Sequence, residues 1–255
     1  MTATKNELKF KKMTEESVWK LVITLGIPTT ISMLITNIYN MADTYFVSSL
    51  GTAQGGAPSI VFSIMALLQA FGFMFGHGAG SHVSRLLGAK NEEQAGRFAT
   101  TSLLLSTASG IVILTFCLIF LEPFIWFLGS DEFILPHAMD YARWIFIGAP
   151  ALTASCVFNN VLRYEGKAFY GMIGITSGAV LNIALDPLFI FTFNMGVAGA
   201  AWATIISQFV SFCILLAGCS RSGSIRIHIS HVQLKGSYYK MIAQGGLPSL
   251  TRQSL

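Results

Sequence analysis

Charge is what this chain lacks. Only 11% of its 255 residues are Asp, Glu, Lys or Arg, while 53% are hydrophobic. A soluble domain carries about 25% charged residues, so a water-soluble globule is excluded. The alternating ten-residue strands of a membrane β-barrel are also lacking, which leaves a polytopic helical membrane protein. Cysteine is sparse. Cys117, Cys156, Cys213 and Cys219 lie inside or at the end of apolar runs, with no paired spacing in a polar loop. That pattern predicts free thiols, with neither a disulfide nor a metal site built on them. The N-terminus lacks a small-residue cleavage site ahead of its first apolar segment, so no signal peptide is expected. The net charge of +4 is read as loop charge on one side of a membrane, not as nucleic-acid binding.

What the chain has is six long apolar runs, at about 21–50, 57–85, 98–121, 137–162, 168–193 and 198–219. Each exceeds or reaches the ~20 residues needed to cross a bilayer. The first is long enough that it must tilt, bend or project, and Pro28 is the expected bend. Lys and Arg cluster in the N-terminal arm and after runs two, four and six, whereas the connections after runs one and five carry none. That alternation predicts a cytoplasmic N-terminus and tail in a cell membrane. The expected organisation is a cytoplasmic arm (1–20), a six-helix lobe (21–220), a cytoplasmic linker (221–244) and the start of a second lobe (245–255). The last boundary comes from an internal repeat: Gly26-Ile27-Pro28 aligns with Gly246-Leu247-Pro248, after one complete six-span unit. Two six-span halves are a known transporter plan.

The polar residues inside these runs point to a site. Asn182 and Asp186 are four apart in the fifth run, on one helix face, and Pro187 follows and frees a carbonyl one turn back. A carboxylate in hydrocarbon costs several kcal/mol and by default marks a pathway or coupling site. At 1.5 Å per residue, Asp43 lies roughly 33 Å along run one, Asp186 roughly 27 Å along run five, and Thr204 about 9 Å in from the outer end of run six. Asp43, Asn182, Asp186 and Thr204 can therefore share one depth. Two carboxylates in a low-dielectric cleft could share a proton, or hold Na+ with neutral oxygens from Asn182 and Thr204. Asn37, Tyr39, Asn40, Tyr141 and Asn159 are candidates to line a substrate cavity, each weighed against plain interhelical hydrogen bonding. His77 and His82 are five apart, lack a third ligand and read as packing residues.

Four segments carry a resemblance: IPTTISMLITNIYNMADTYFVSSLG, GAGSHVSRLLGAKNEEQAG, VLRYEGKAFYG and LNIALDPLFIFTFNMGVAGAAWATIISQ. Together they resemble the N-terminal lobe of multidrug and toxic compound extrusion (MATE) transporters, of the prokaryotic branch with an N-lobe cation site. The resemblance implies an all-α membrane protein, a six-transmembrane-helix bundle forming one lobe of a two-lobe, twelve-helix antiporter. It implies that Asp43, Asn182, Asp186 and Thr204 bind the coupling H+ or Na+, with no other cofactor. It further implies that Pro28 is a hinge, and that cationic or amphipathic drugs are expelled by alternating access. The partners implied are those drugs, the bilayer, and a second lobe or a second copy.

Three other readings compete with this one. A flippase for a lipid-linked or glycan substrate would use several cavity Lys or Arg for phosphate, but only Arg143 lies deep in a run. A half-transporter acting as a homodimer remains an alternative. An intramembrane aspartyl hydrolase usually pairs Tyr-Asp with Gly-x-Gly-Asp; here Ala42-Asp43 and Leu185-Asp186 stand instead.

Overall fold

The computed structural model describes residues 15–222, 225, 227, 231–233 and 235–254. Most of the expected N-terminal arm and part of the linker therefore lie outside the described residues. The described chain is helical, in the order α1 (Val18–Ser48), α2 (Thr52–Gly88), α3 (Glu92–Ile119), α4 (Leu121–Phe127), α5 (Leu135–Tyr164), α6 (Ala168–Pro187), α7 (Gly196–Ser222) and α8 (Gly236–Ser254). No strand occurs among the described residues. Six of these helices are long and apolar enough to span a membrane, at the six expected places. The short α4 and the full extent of α8 were not expected. α8 begins at Gly236 and runs as one helix through the boundary placed at 244–245.

Local sequence sets the helix ends. Asn91 caps α3 by accepting a hydrogen bond from Gln94 N at 3.1 Å, and Glu92 and Glu93 complement the first turn. Asp131 Oδ1 accepts from Phe133 N and Ile134 N at 3.0 and 2.8 Å where the chain turns into α5. The end of α6 differs from a plain helix. Pro187 has no N–H to donate, and residues Leu188–Thr192 close a π-turn, with Phe193 N bonding Leu188 O at 3.0 Å.

α5 is the buried centre, with α2, α3, α6 and α7 packed around it. In lipid there is no hydrophobic drive between helices, so close approach of small residues holds such a bundle together. α2 supplies it on one stripe. A Cβ at Gly72 would come within 2.7 Å of Cys156, and one at Gly76 within 2.7 Å of Asn160; Gly80 lies against the Tyr164 ring. These glycines are four apart and face α5. Gly78, on another face of α2, lies against the backbone of Ile242 and Gly246 in α8. α3 is tied to α5 by a reciprocal pair: Ser106 Oγ donates to Thr153 O at 2.9 Å, and Thr153 Oγ1 donates to Ser106 O at 3.0 Å. α6 meets α7 along Gly174 and Gly178, the latter with room for no more than hydrogen against Ser207 O and Ser211 Cβ. α1 is the outlier. It lies chiefly along α6 and α2 and buries only Ser32, Asp43 and Val47.

Candidate cation site

The α6–α7 glycine seam seats Asn182 beside Thr204. The amide Nδ2 of Asn182 donates toward Thr204 Oγ1 at 3.3 Å and toward Asp186 Oδ1 at 3.4 Å. α1 delivers Asp43 from the other side. Tyr141, near the start of α5, donates its hydroxyl to Asp43 Oδ2 at 2.9 Å, and its phenol also interacts with Thr204. Asp43 and Asp186 are close enough to interact electrostatically. All five side chains are buried, Asp186 fully so and Asp43 with 7% exposure. The four residues grouped by depth in the sequence thus meet at one place, where four transmembrane helices converge.

The unused atoms define what the site can do. Asp43 Oδ1, Asn182 Oδ1 and Asp186 Oδ2 are buried and have no hydrogen-bond partner among the described residues. All three are acceptors when the carboxylates are ionised, and a buried acceptor left alone costs about 1–3 kcal/mol. Arg143, the candidate cation nearest in sequence, is exposed on α5 and is no part of the cluster. Three buried hard oxygens on side chains of one cluster suit a proton shared between carboxylates, or Na+. Among the described residues, no group of three or more His, Cys, Asp or Glu is placed to hold a metal ion.

Two cavities adjoin the cluster. The wider, of about 810 Å³, is open and lined by Asn37, Tyr39, Asn40, Asp43, Tyr141 and Thr204 with apolar neighbours such as Phe62 and Met65. Four of the five expected cavity residues are here. Asn159 is not; it lines a smaller cavity of about 130 Å³ together with Asn182 and Thr204. Tyr39 and Thr204 lie between the two, touching both. Tyr141 both lines the wide cavity and bonds Asp43, and that direct bond depends on helix rotation that spacing along the chain does not give. His77 bonds the Tyr164 hydroxyl at 3.1 Å and stacks on Phe73, and His82 stacks on Phe98, so both pack. All four cysteines are free thiols. Pro28 lies inside α1, which continues through it as one helix.

Comparison with known proteins gives a consistent family. The sequence profile of the MatE family matches residues 28–188. The multidrug export protein MepA of Staphylococcus haemolyticus is 30% identical over 237 residues, covering 92% of this chain and 52% of that protein. A solved structure of MATE in the bent conformation matches with a TM-score of 0.89 and 31% identity, over 99% of this chain and 56% of that one. The straight conformation of MATE matches with a TM-score of 0.88 and 30% identity, over the same shares. The chain therefore spans about half the length of the curated relatives and solved structures it matches. With six spanning helices in one lobe and this likeness along nearly its whole length, the chain belongs to the MatE family, whose members are transporters and not enzymes.

Proposed function

We propose that this chain is the N-terminal lobe of a cation-coupled multidrug efflux transporter, in which Asp43 and Asp186, with Asn182 and Thr204, bind the coupling H+ or Na+. The observation that carries this reading is the trio of buried, unpartnered oxygens on Asp43, Asn182 and Asp186. Such a cluster is costly in an apolar bundle unless a cation or proton occupies it. The wide cavity beside it has the aromatic and Met lining that suits lipophilic cations, and no Lys or Arg among its lining residues. That lining also disfavours a phosphate-bearing flippase substrate. Cation entry from outside neutralises the carboxylates, α1 shifts about Pro28, and drug held in the wide cavity against Tyr39 and Asp43 is released outward. The cation then leaves inward. A second six-helix lobe, in the same polypeptide or as a second copy, closes the other side of the cavity.

The test has two arms. Equilibrium binding of radioactive Na+ and proton release on Na+ addition are measured on the purified chain. Asp186→Asn and Asp43→Asn should each abolish cation uptake. Drug efflux from vesicles under imposed H+ or Na+ gradients is measured with this chain alone and with a version extended past Leu255. The extended form should transport, and its Asp→Asn variants should not. Wild-type gradient-driven efflux from either variant would remove the coupling assignment.

A further inference from the structure

The smaller cavity lies on one side of the carboxylates only. It begins at Asn182 and Thr204 and runs along α6 toward Ile175, along α7 toward Ser211 and Leu215, and along α5 as far as Asn159. From Thr204 to Leu215 is about 16 Å of helix. All of this lies toward the bundle end where α5 finishes, α6 begins and α7 finishes. That is the end bearing Arg163, Lys167 and Arg221, which charge alternation assigns to the cytoplasm.

Part of its polar lining is not bonded to the helices. Many hydroxyls in these spans donate to a carbonyl three or four residues back, as Thr29 does, and as Thr36 and Ser155 do in this cavity's own wall. Ser207 Oγ is buried, 3% exposed, and has no hydrogen-bond partner among the described residues; the same holds for the buried Gln208 Nε2 and Asn182 Oδ1. All three residues line this cavity. The wall is mainly apolar, with Phe73, Leu152, Ile175 and Leu215 in it, and the polar groups form a strip through Asn182, Thr204, Ser207, Gln208 and Ser211; a water needs about 10–15 Å³ and two to four polar partners, so about 130 Å³ has room for waters along that strip. At the far end, Asn159 Oδ1 accepts from the Arg163 guanidinium at 3.2 Å, and a Cβ at Gly171 would come within 2.8 Å of Asn159 Nδ2.

We propose that this cavity is a water-filled branch inside the lobe, through which the coupling cation passes from the Asp43–Asp186 cluster to the cytoplasm, with the Asn159–Arg163 pair as its inner gate. Drug and cation then use different exits. The drug faces the wide cavity, open where a second lobe would sit. The cation leaves within one lobe, past Thr204, Ser207, Gln208 and Ser211. The branch rests on the cation-coupled reading, yet its own geometry can be tested apart from it.

Two reporters suit the test. Cys156 lines the cavity already, and Ser211→Cys adds one atom's worth of change deeper in; each is kept as the sole thiol, with the remaining cysteines replaced by Ala. A small, membrane-impermeant cationic thiosulfonate is applied to either face of oriented vesicles, with Lys90→Cys defining the cytoplasmic face and Val112→Cys, 67% exposed on α3, as a lipid-facing control. A thiol in water ionises about tenfold more than one whose pKa an apolar setting raises by a unit, so about tenfold faster labelling than at position 112 is expected, from the cytoplasmic face. Labelling at both reporters no faster than at position 112, or faster only from the outer face, would overturn the branch. Na+ binding is measured on the same samples. Absence of both Na+ binding and a titrating proton at the Asp43–Asp186 cluster would sink the coupling assignment, whereas the labelling pattern alone decides the branch.

Discussion

Thr204 is the neutral member of the cation cluster, and its hydroxyl accepts from Asn182 while meeting Tyr141. Replacing it with the isosteric Val keeps the packing and removes one oxygen. A hydrogen bond to a buried polar group is worth about 1–1.5 kcal/mol, so Thr204→Val should weaken cation affinity by about tenfold, read by Na+ titration. An unchanged affinity would place Thr204 outside the coordination sphere. The cluster was legible in the sequence because Asp43, Asn182, Asp186 and Thr204 interrupt apolar runs at matching depth. Tyr141 as the hydrogen-bond donor to Asp43 was not legible, because depth says nothing of which way a helix is rotated. Ser207 and Gln208 gave no signal at all. A serine in a membrane helix ordinarily bonds its own backbone, and only the three-dimensional placement shows that this one does not.

Helices α2 and α8 approach backbone to backbone at Gly78, Ile242 and Gly246. No side chain fits there without displacing one helix. Gly78→Val should therefore cost about 1–3 kcal/mol and detach α8, increasing protease cleavage between α7 and α8. Gly88→Ala, at a position with nothing within 4 Å, is the control and should behave as wild type. The second run is rich in glycine, a composition that suits close helix packing. Which glycine faces which helix follows from the four-residue spacing of Gly72, Gly76 and Gly80, with Gly78 offset to the other side. The early start of α8 at Gly236 was hidden, since 221–244 is polar and basic and reads as a loop. Tyr238 anchors that first turn by packing on Phe98, a contact remote in sequence.

Across the whole molecule, the internal repeat has an unequal partner. Gly246 is pressed against the Met74 carbonyl of α2, whereas its counterpart Gly26 in α1 has nothing within 4 Å. If two lobes are related by the repeat, Gly26 should lie against the second helix of the other lobe as Gly246 lies against α2. Gly26→Leu should then leave the stability of this chain unchanged but reduce the folded yield and transport of the version extended past Leu255. Equal tolerance in both would show that the two lobes do not pack symmetrically. The six-helix layout was readable throughout from apolar run length and charge alternation; lobe pairing was not, because it depends on surfaces that one lobe leaves open.

The sparse anchoring of α1 carries a further consequence. A 31-residue helix is about 46 Å long, against a hydrocarbon thickness of about 30 Å, and only three of its side chains are buried. Its angle is therefore set as much by lipid as by protein. Acyl-chain length becomes a control on the lobe: thin bilayers favour a steeply inclined α1, thick ones an upright α1, and Asp43 rides with it toward or away from Asp186.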